Sequence, residues 1–447
     1  MQQSHNFIYP SMVAIETLYQ KYLTTRSVTI DSRHFAPGAL FFAIRGPHFN
    51  GNAFAAEALA KGACYVIIDD PAYARPSSAY ILVKDSLATL IQLAGYHRSQ
   101  YSPLFPVIAV TGSYGKTTTK ELIYHTLQTT YRTVATKGNL NTSIGVALTI
   151  LSLQQDTQIA VIEMGASQLG DITLCCNLAR PTHGMITAIG AAHLEGFGSI
   201  RGVIQGKGEL YDYLYNTGGT VFLNTLMPLL SRISRQFNQP ITYPQPSDFA
   251  PLELVGEKPY LHCKTSEGEI FATHLLGKAH IHNIAAALCV AKYFNVPTAT
   301  AHAAIQAYVP TNQRMQLVIK GSNQLIIDSY NASPASVQTA LDALLQLKVP
   351  YRIVILGDMA DLGSQTTAWH NKVVEQLCQP HYDRVLLCGP FLTLAAHQRP
   401  HTKMYCFPNK ETLAVYLDRH TFQHSGILLK AAHNLAMHTL AERLKEP

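Results

Sequence analysis

Charge is scarce in this chain of 447 residues: Asp, Glu, Lys and Arg make up 14% of it, against 47% hydrophobic residues. That balance excludes a disordered polyelectrolyte and fits a globular protein with sizeable buried cores. Blocks of like charge are missing too. The net charge of +6 comes from scattered Lys and Arg, so no nucleic acid is expected as a partner, whereas anionic small substrates suit it. No uninterrupted apolar run reaches about 18 residues, and residues 1–6 form neither a cationic signal start nor an apolar segment. The expectation is a cytoplasmic protein without stable membrane insertion. The eight cysteines form no Cys-x-x-Cys pair and no metal-ligand spacing with histidine, so they read as reduced, mostly buried thiols. No internal repeat or low-complexity tract is evident. Histidine, by contrast, is abundant: twenty of them weaken any argument resting on one.

At about 150 residues per domain the length fits three. Residues 1–104 mix strand-like runs at 39–44 and 65–68 with a helix-like stretch at 53–61, and lead into the proline-bearing linker Ser102-Pro103-Leu104-Phe105-Pro106. Residues 105–311 alternate strands (107–111, 159–163, 185–189, 220–223) with helices, the pattern of a parallel sheet wound with helices, and close with a helix near 283–294. Residues 312–447 restart the alternation, with strands at 326–328, 353–357, 385–388 and 426–430 and a helix at 336–347. The fold class is therefore α/β in three domains, the last a second doubly wound unit.

The most informative stretch runs from Val107 to Leu122: an apolar strand, the turn Gly112-Ser113-Tyr114-Gly115, then Lys116-Thr117-Thr118 opening a helix. Strand, glycine turn and helix start make a phosphate cradle, because the glycines let backbone N–H groups face an anion and the helix adds the positive end of its dipole. Lys116 then neutralises terminal phosphate charge and the Thr117 hydroxyl holds Mg²⁺. Val110 stands where the general phosphate-loop pattern has its first glycine, so this is a shortened Gly-x-x-Gly-Lys-Thr form.

Downstream, the run 159–162 ends in Glu163, an oxygen ligand for a hard cation if its strand neighbours 107–111; an ordinary loop acid is the alternative. His193 follows the strand at 185–189 inside a glycine-rich bend, where it could reach a second metal or the reacting carboxylate. Lys207 lies between Gly206 and Gly208 in a helical pattern. Each interior glycine costs about 1 kcal/mol relative to alanine, so close backbone approach is one reason for them, and a solvated lysine is the plain alternative.

In order, Thr111-Gly112-Ser113-Tyr114-Gly115-Lys116-Thr117, Glu163-Met164-Gly165-Ala166, the 192–199 segment, Lys207-Gly208-Glu209, Asp328-Ser329-Tyr330-Asn331-Ala332-Ser333-Pro334 and the 357–363 segment resemble the Mur ligases of peptidoglycan synthesis. Asp31-Ser32-Arg33 and the 37–46 run are similar to that family's nucleotide-sugar domain. The resemblance implies a UDP-sugar-binding domain over 1–104, an ATP-binding domain over 105–311 and a Rossmann-like ligase domain over 312–447. Its 197–199 and 330–334 segments imply an ATP-dependent amide ligase that joins D-alanyl-D-alanine to UDP-N-acetylmuramoyl-tripeptide. The expectation is a monomer.

The same resemblance implies roles. Gly112, Ser113, Gly115, Lys116, Thr117 and Thr118 would cradle ATP. Thr117 and Glu163 would hold a first Mg²⁺ ion, and His193 a second. Lys207 would be carbamylated and serve as a metal ligand, so Lys116, His193 and Lys207 form the catalytic set. Asn283 would face adenine, while Arg314 and Asp328 reach the phosphates and ribose. Ser32 and Arg33 would hold the uridine diphosphate, with Asn141 and Thr142 near the sugar substrate and Asn331 near the acceptor. His433, standing where the family has arginine, is a candidate for a pH-dependent contact near the acceptor, and a histidine at a helix start with no ligand role is the alternative. The chain departs from the family at Ala279-His280 (His-Asn there), at Asp361 (Glu there) and at Lys430-Ala431-Ala432-His433 (Lys-Gly-Ser-Arg there). Two rival readings stand: another ligase of the family with a different carboxylate and amine, or a nucleotide-binding regulator without chemistry.

Overall fold

The computed structural model describes residues 13–47 and 49–445. The opening residues 1–6 lie outside the described residues. The chain packs as two compact units, the first of residues up to 109 with 132–164 and 173–182, the second of 110–131, 165–172 and 183 onward. The first boundary between these units falls inside the strand Val107–Thr111.

In the first unit, Ser27–Thr29, Ala39–Phe42, Tyr65–Ile68 and Tyr80–Leu82 form a parallel sheet in that order. All four residues of Ala39–Phe42 are buried, as in a parallel strand covered on both faces. Phe41, Val66 and Ile68 pack with Ala55 and Ala58 of the helix Ala55–Ala60, shorter than the expected 53–61 because Gly51–Phe54 is a separate turn of 3₁₀ helix. The same unit pairs Thr133–Ala135 in parallel with Ile159–Glu163, and the Ala160 N–H donates to Pro106 O just before Val107–Thr111.

The second unit carries the helix Lys116–Leu127 and a parallel trio, His183–Ile186, Thr220–Asn224 and Ile241–Tyr243. The expected strand 185–189 lies two to three residues earlier. Thr187 leaves the run to donate its N–H to Thr111 O (2.8 Å) and its hydroxyl to Tyr114 O (2.6 Å), so residues 187–190 support the glycine turn. An antiparallel meander of Leu252–Glu257, Tyr260–Thr265 and Ile270–Leu276 was not anticipated, although the alternating burial of Tyr260–Thr265 is the mark of a strand with one face inward.

The last sheet of this unit runs Gln316–Lys320, Asn323–Asp328, Ser425–Lys430, Tyr351–Gly357, Arg384–Cys388, Met404–Phe407. All its neighbours are parallel except the edge pair Gln316–Lys320 and Asn323–Asp328. Apolar clusters cover both faces, one around Leu341, Leu344 and Val374, the other around Leu386, Leu413 and Leu429, which is the doubly wound arrangement. Among the described residues no helix is long and apolar enough to cross a membrane.

Candidate active site

The glycine turn sits between a buried strand and a helix start, and its own contacts fix its shape. Gly112 (φ +145°) and Gly115 (φ +83°) take backbone angles that side chains resist, and a Cβ on Gly115 would lie 2.9 Å from Asn283 Oδ1. Ser113 donates its N–H to Ala188 O, and its hydroxyl pairs with both the N–H and the carbonyl of Gly190. Lys116, the first residue of the helix and half-buried, folds back so that Nζ donates to Gly112 O at 2.6 Å. Thr117 and Thr118 are buried in the first turn. Asn283, from the helix Ile281–Tyr293, supports the turn: its Oδ1 accepts from the Thr119 hydroxyl (3.2 Å), and its Nδ2 stands 2.9 Å from His280 Nδ1. Burial pushes His280 down to about 4, with Asp328 opposing and Arg314 adding to the shift. The departure Ala279-His280 thus places a ring against the side chain expected at adenine.

His193 precedes the short helix Leu194–Phe197 in a left-handed backbone conformation (φ +50°). Its Nδ1 lies 3.1 Å from Asp361 Oδ2, and the Leu194 N–H donates to Asp361 O. Burial lowers the His193 pKa; Asp361 works against that and the charges of Lys116 and Lys207 work with it, so the structure places all four groups within one electrostatic neighbourhood. Asp361 had no role assigned from the sequence. Its signal was its place in Gly357-Asp358-Met359-Ala360-Asp361, beyond the carboxyl end of a buried strand, where ligands gather in such sheets.

Lys207 is only 1% exposed, in the helix Ile200–Thr217. Its Nζ donates to Ala166 O at 3.0 Å and lies 5.3 Å from the centre of the Phe197 ring. Close approach explains Gly206, since a Cβ there would meet the Phe197 ring at 2.4 Å; nothing in the structure explains Gly208.

On the third segment, Asp328 accepts from Lys430 Nζ (2.6 Å) and from the Met315 N–H (3.3 Å). Lys430 also donates to Asn331 O at 2.8 Å, and burial pushes its pKa down. Arg314 stacks its guanidinium 3.8 Å from the centre of the Tyr330 ring, while the exposed His433 places its ring 5.1 Å away from that ring. Arg314, Tyr330 and His433 therefore form one surface, with Tyr330 a member that sequence reasoning had not assigned.

In the first unit, Glu163 is wholly buried, held by the Asn141 amide (2.8 Å to Oε1) and by its own N–H on Thr136 Oγ1. Thr142 precedes the helix Ser143–Ile150. Arg33 makes a bidentate pair with Asp31, whose carboxyl this hydrogen bonding holds at about 2. Ser32 is buried, and its carbonyl accepts from Lys61 Nζ.

Among the described residues no group of three or more His, Cys, Asp or Glu is placed to hold a metal. Mg²⁺ keeps several waters and binds through one or two carboxylates plus substrate phosphates; the hydroxyls of Thr117 and Thr118 in the second unit and the buried carboxylate of Glu163 in the first are each oxygen donors of that kind.

A phosphate loop joined to a second, Rossmann-like sheet defines a nucleotide-dependent α/β enzyme. Residues 24–98 match the Mur ligase family, catalytic domain; 110–291 the Mur ligase middle domain; and 313–433 the Mur ligase, glutamate ligase domain. The chain is 34% identical over 381 residues to the UDP-N-acetylmuramoyl-tripeptide–D-alanyl-D-alanine ligase of Escherichia coli (strain K12), covering 82% of each. It is similar in structure to MurF from Acinetobacter baumannii (TM-score 0.80, 26% identity, 96% of this chain and 98% of that one). It is also similar to MurF ligase from Thermotoga maritima in complex with ADP (TM-score 0.76, 26% identity, 94% and 97%). The chain belongs to the Mur ligase family.

Proposed function

We propose that the chain joins D-alanyl-D-alanine to UDP-N-acetylmuramoyl-tripeptide at the expense of ATP, in peptidoglycan precursor synthesis. The observation that carries this reading is the glycine turn, with Lys116 folded onto it and His193, Asp361 and Lys207 in its electrostatic neighbourhood. A regulator that only binds nucleotide has no use for such a set. The choice of substrates is supported by the relatives' names.

The tripeptide's terminal carboxylate attacks the γ-phosphorus of ATP, releasing ADP and forming an acyl phosphate. The D-alanyl-D-alanine amine then attacks the acyl carbon, and inorganic phosphate leaves as the amide forms. Lys116, leaving Gly112 O, neutralises the γ-phosphate, and the turn's backbone N–H groups orient it. Thr117, Glu163, His193 and the modified Lys207 would hold Mg²⁺, which when bound would neutralise phosphate charge. Asn283, Arg314 and Asp328 serve the nucleotide, Ser32, Arg33, Asn141 and Thr142 the UDP-sugar, and Asn331 and His433 the acceptor. Arg33 would exchange Asp31 for the diphosphate.

Lys207 is proposed to carry a carbamate. Burial in low dielectric disfavours the ammonium of any lysine, and the neutral amine is the form that adds to CO₂, giving the carbamate and a proton. The proposed domains are 1–104, 105–311 and 312–447, in a cytoplasmic monomer. Mass spectrometry of products from ATP, UDP-N-acetylmuramoyl-tripeptide and D-alanyl-D-alanine tests the reading: a product carrying the added dipeptide, with ADP, is expected. ADP without that amide, or no turnover, overturns it.

A further inference from the structure

We propose that His370 is a positioning residue for the reaction: from inside the third segment it fixes the turn that brings Asp361 onto His193. His370 lies in the helix Thr366–Leu377 and is wholly buried. Its Nδ1 is 2.7 Å from Thr366 O, and its Nε2 accepts the Met359 N–H at 3.0 Å. Satisfying both partners at once puts the proton on Nδ1 and the lone pair on Nε2. The ring therefore reads the turn's backbone, not merely its shape.

The neighbouring Asp358, whose Oδ1 lies 3.7 Å from His370 Nε2, ties the same turn to a further helix. Its carboxylate accepts the N–H groups of Phe391 (3.1 Å) and Leu392 (2.9 Å), at the start of the helix Pro390–His397. Met359 and Leu362 are buried on either side of Asp361. Between these anchors Asp361 takes a left-handed backbone conformation (φ +60°), which is costly for a residue with a side chain and persists only where its surroundings over-determine it. The outcome is two contacts with the loop that carries His193: the Leu194 N–H on Asp361 O, and Asp361 Oδ2 facing His193 Nδ1. A carboxylate on one ring nitrogen fixes the tautomer and aims the other nitrogen at its task. The chain of support thus runs from His370 through the Met359 backbone to Asp361, and ends at His193.

This inference rests on His193 serving the reaction as proposed above. The test is a double-mutant cycle in the full chain: His370→Leu, which keeps bulk without hydrogen bonds, Asp361→Asn, and both together, with His370→Gln as the conservative variant. Each of the first two is expected to lower kcat about 10- to 100-fold, the size of effect seen for groups that orient a ligand residue. KM for ATP should stay within about twofold. The double variant should be no slower than the slower single one, because both changes act on one contact. His370→Gln should recover part of the loss. Multiplying losses, or a His370→Leu enzyme that melts earlier yet turns over normally, overturn the proposal. If His370→Leu does not fold, His370→Phe, a ring without the hydrogen bonds, takes its place in the cycle. Ring ¹⁵N shifts of His193 separate this inference from the reading beneath it: His370→Leu should loosen the fixed Nδ1–H tautomer while His370→Gln keeps more of it, and a tautomer unchanged in His370→Leu sinks the positioning role. A fully active His193→Ala would sink the reading of His193 instead.

Discussion

Lys430 and Asp328 stand directly opposite each other at the ends of two parallel strands, with the ammonium 2.6 Å from the carboxylate and the lysine side chain wholly buried. Two charges taken from water this way do little for stability as a pair, because desolvation offsets their attraction, but removing one partner strands the other. Asp328 also holds the Met315 N–H, so the pair ties the strand end to the entrance of the third segment.

Lys430→Met should therefore cost about 3–5 kcal/mol in unfolding, since it leaves a buried carboxylate without its cation. Adding Asp328→Asn to it should restore most of that loss while keeping an acceptor for Met315. Urea unfolding of the two variants decides it. A double variant as unstable as the single one would show that the lysine's bulk, not its charge, matters.

Lys116→Ala should lower turnover about 100- to 1,000-fold, the usual scale for removing a group that stabilises charge in a transition state. Its thermal midpoint should move little, because the side chain is half-buried and its bonds to Gly112 O and Ser113 O are to neutral backbone carbonyls of the turn. Near-normal ADP formation by a folded Lys116→Ala protein would refute the phosphate-loop assignment.

Lys207→Ala should be inactive or nearly so, and acetate or another small carboxylic acid should return part of the activity by supplying the missing anion. The buried setting against Ala166 O and Phe197 leaves a space where such an acid could enter after truncation. Activity rescued equally well by small amines as by small acids would point to an ammonium at this position and against a carbamate.

Much of the frame was legible in the sequence because it rests on local pattern. Val107–Thr111 and Ile159–Glu163 are runs of five buried residues bounded by turns, and the structure places both at the residues expected. The meander at 252–276 was missed although burial alternates along Tyr260–Thr265 and Ile270–Leu276: its strands follow one another through tight antiparallel turns, without the intervening helices that mark the parallel pattern on either side. The contact of His193 with Asp361 could not be read at all. It joins two loops far apart in the chain, each in a left-handed conformation that His and Asp tolerate better than most residues but that neither sequence pattern announces, and the packing around Met359 and Leu362 holds it. Asn283 was legible as a residue of interest, but its bonds to Thr119 and His280 depend on how two helices meet.

The second unit should also lose stability on mild acidification through His183. This ring opens the strand His183–Ile186 and packs among Phe222, Tyr293 and Phe294, with Nε2 3.3 Å from the Tyr293 hydroxyl. Burial holds it down at about 4, below the ordinary 6.5. Above pH 6.5 the ring is neutral in folded and unfolded chains alike, and its contribution is complete. As pH falls from 6.5 towards 4 the unfolded chain takes up the proton first, so stability drops; below about 4 both states are protonated and the slope from this group ends. The gap between 6.5 and about 4 sets the loss at no more than roughly 3.5 kcal/mol. His280, held down to about 4 in the same way, leaves a residual slope of the same sign. His183→Phe should unfold in urea with a shallower dependence on pH than the wild type between 6.5 and 4, the two curves running parallel above 7. Parallel curves across the whole range would mean that His183 takes up its proton as readily in the folded protein as in the unfolded chain.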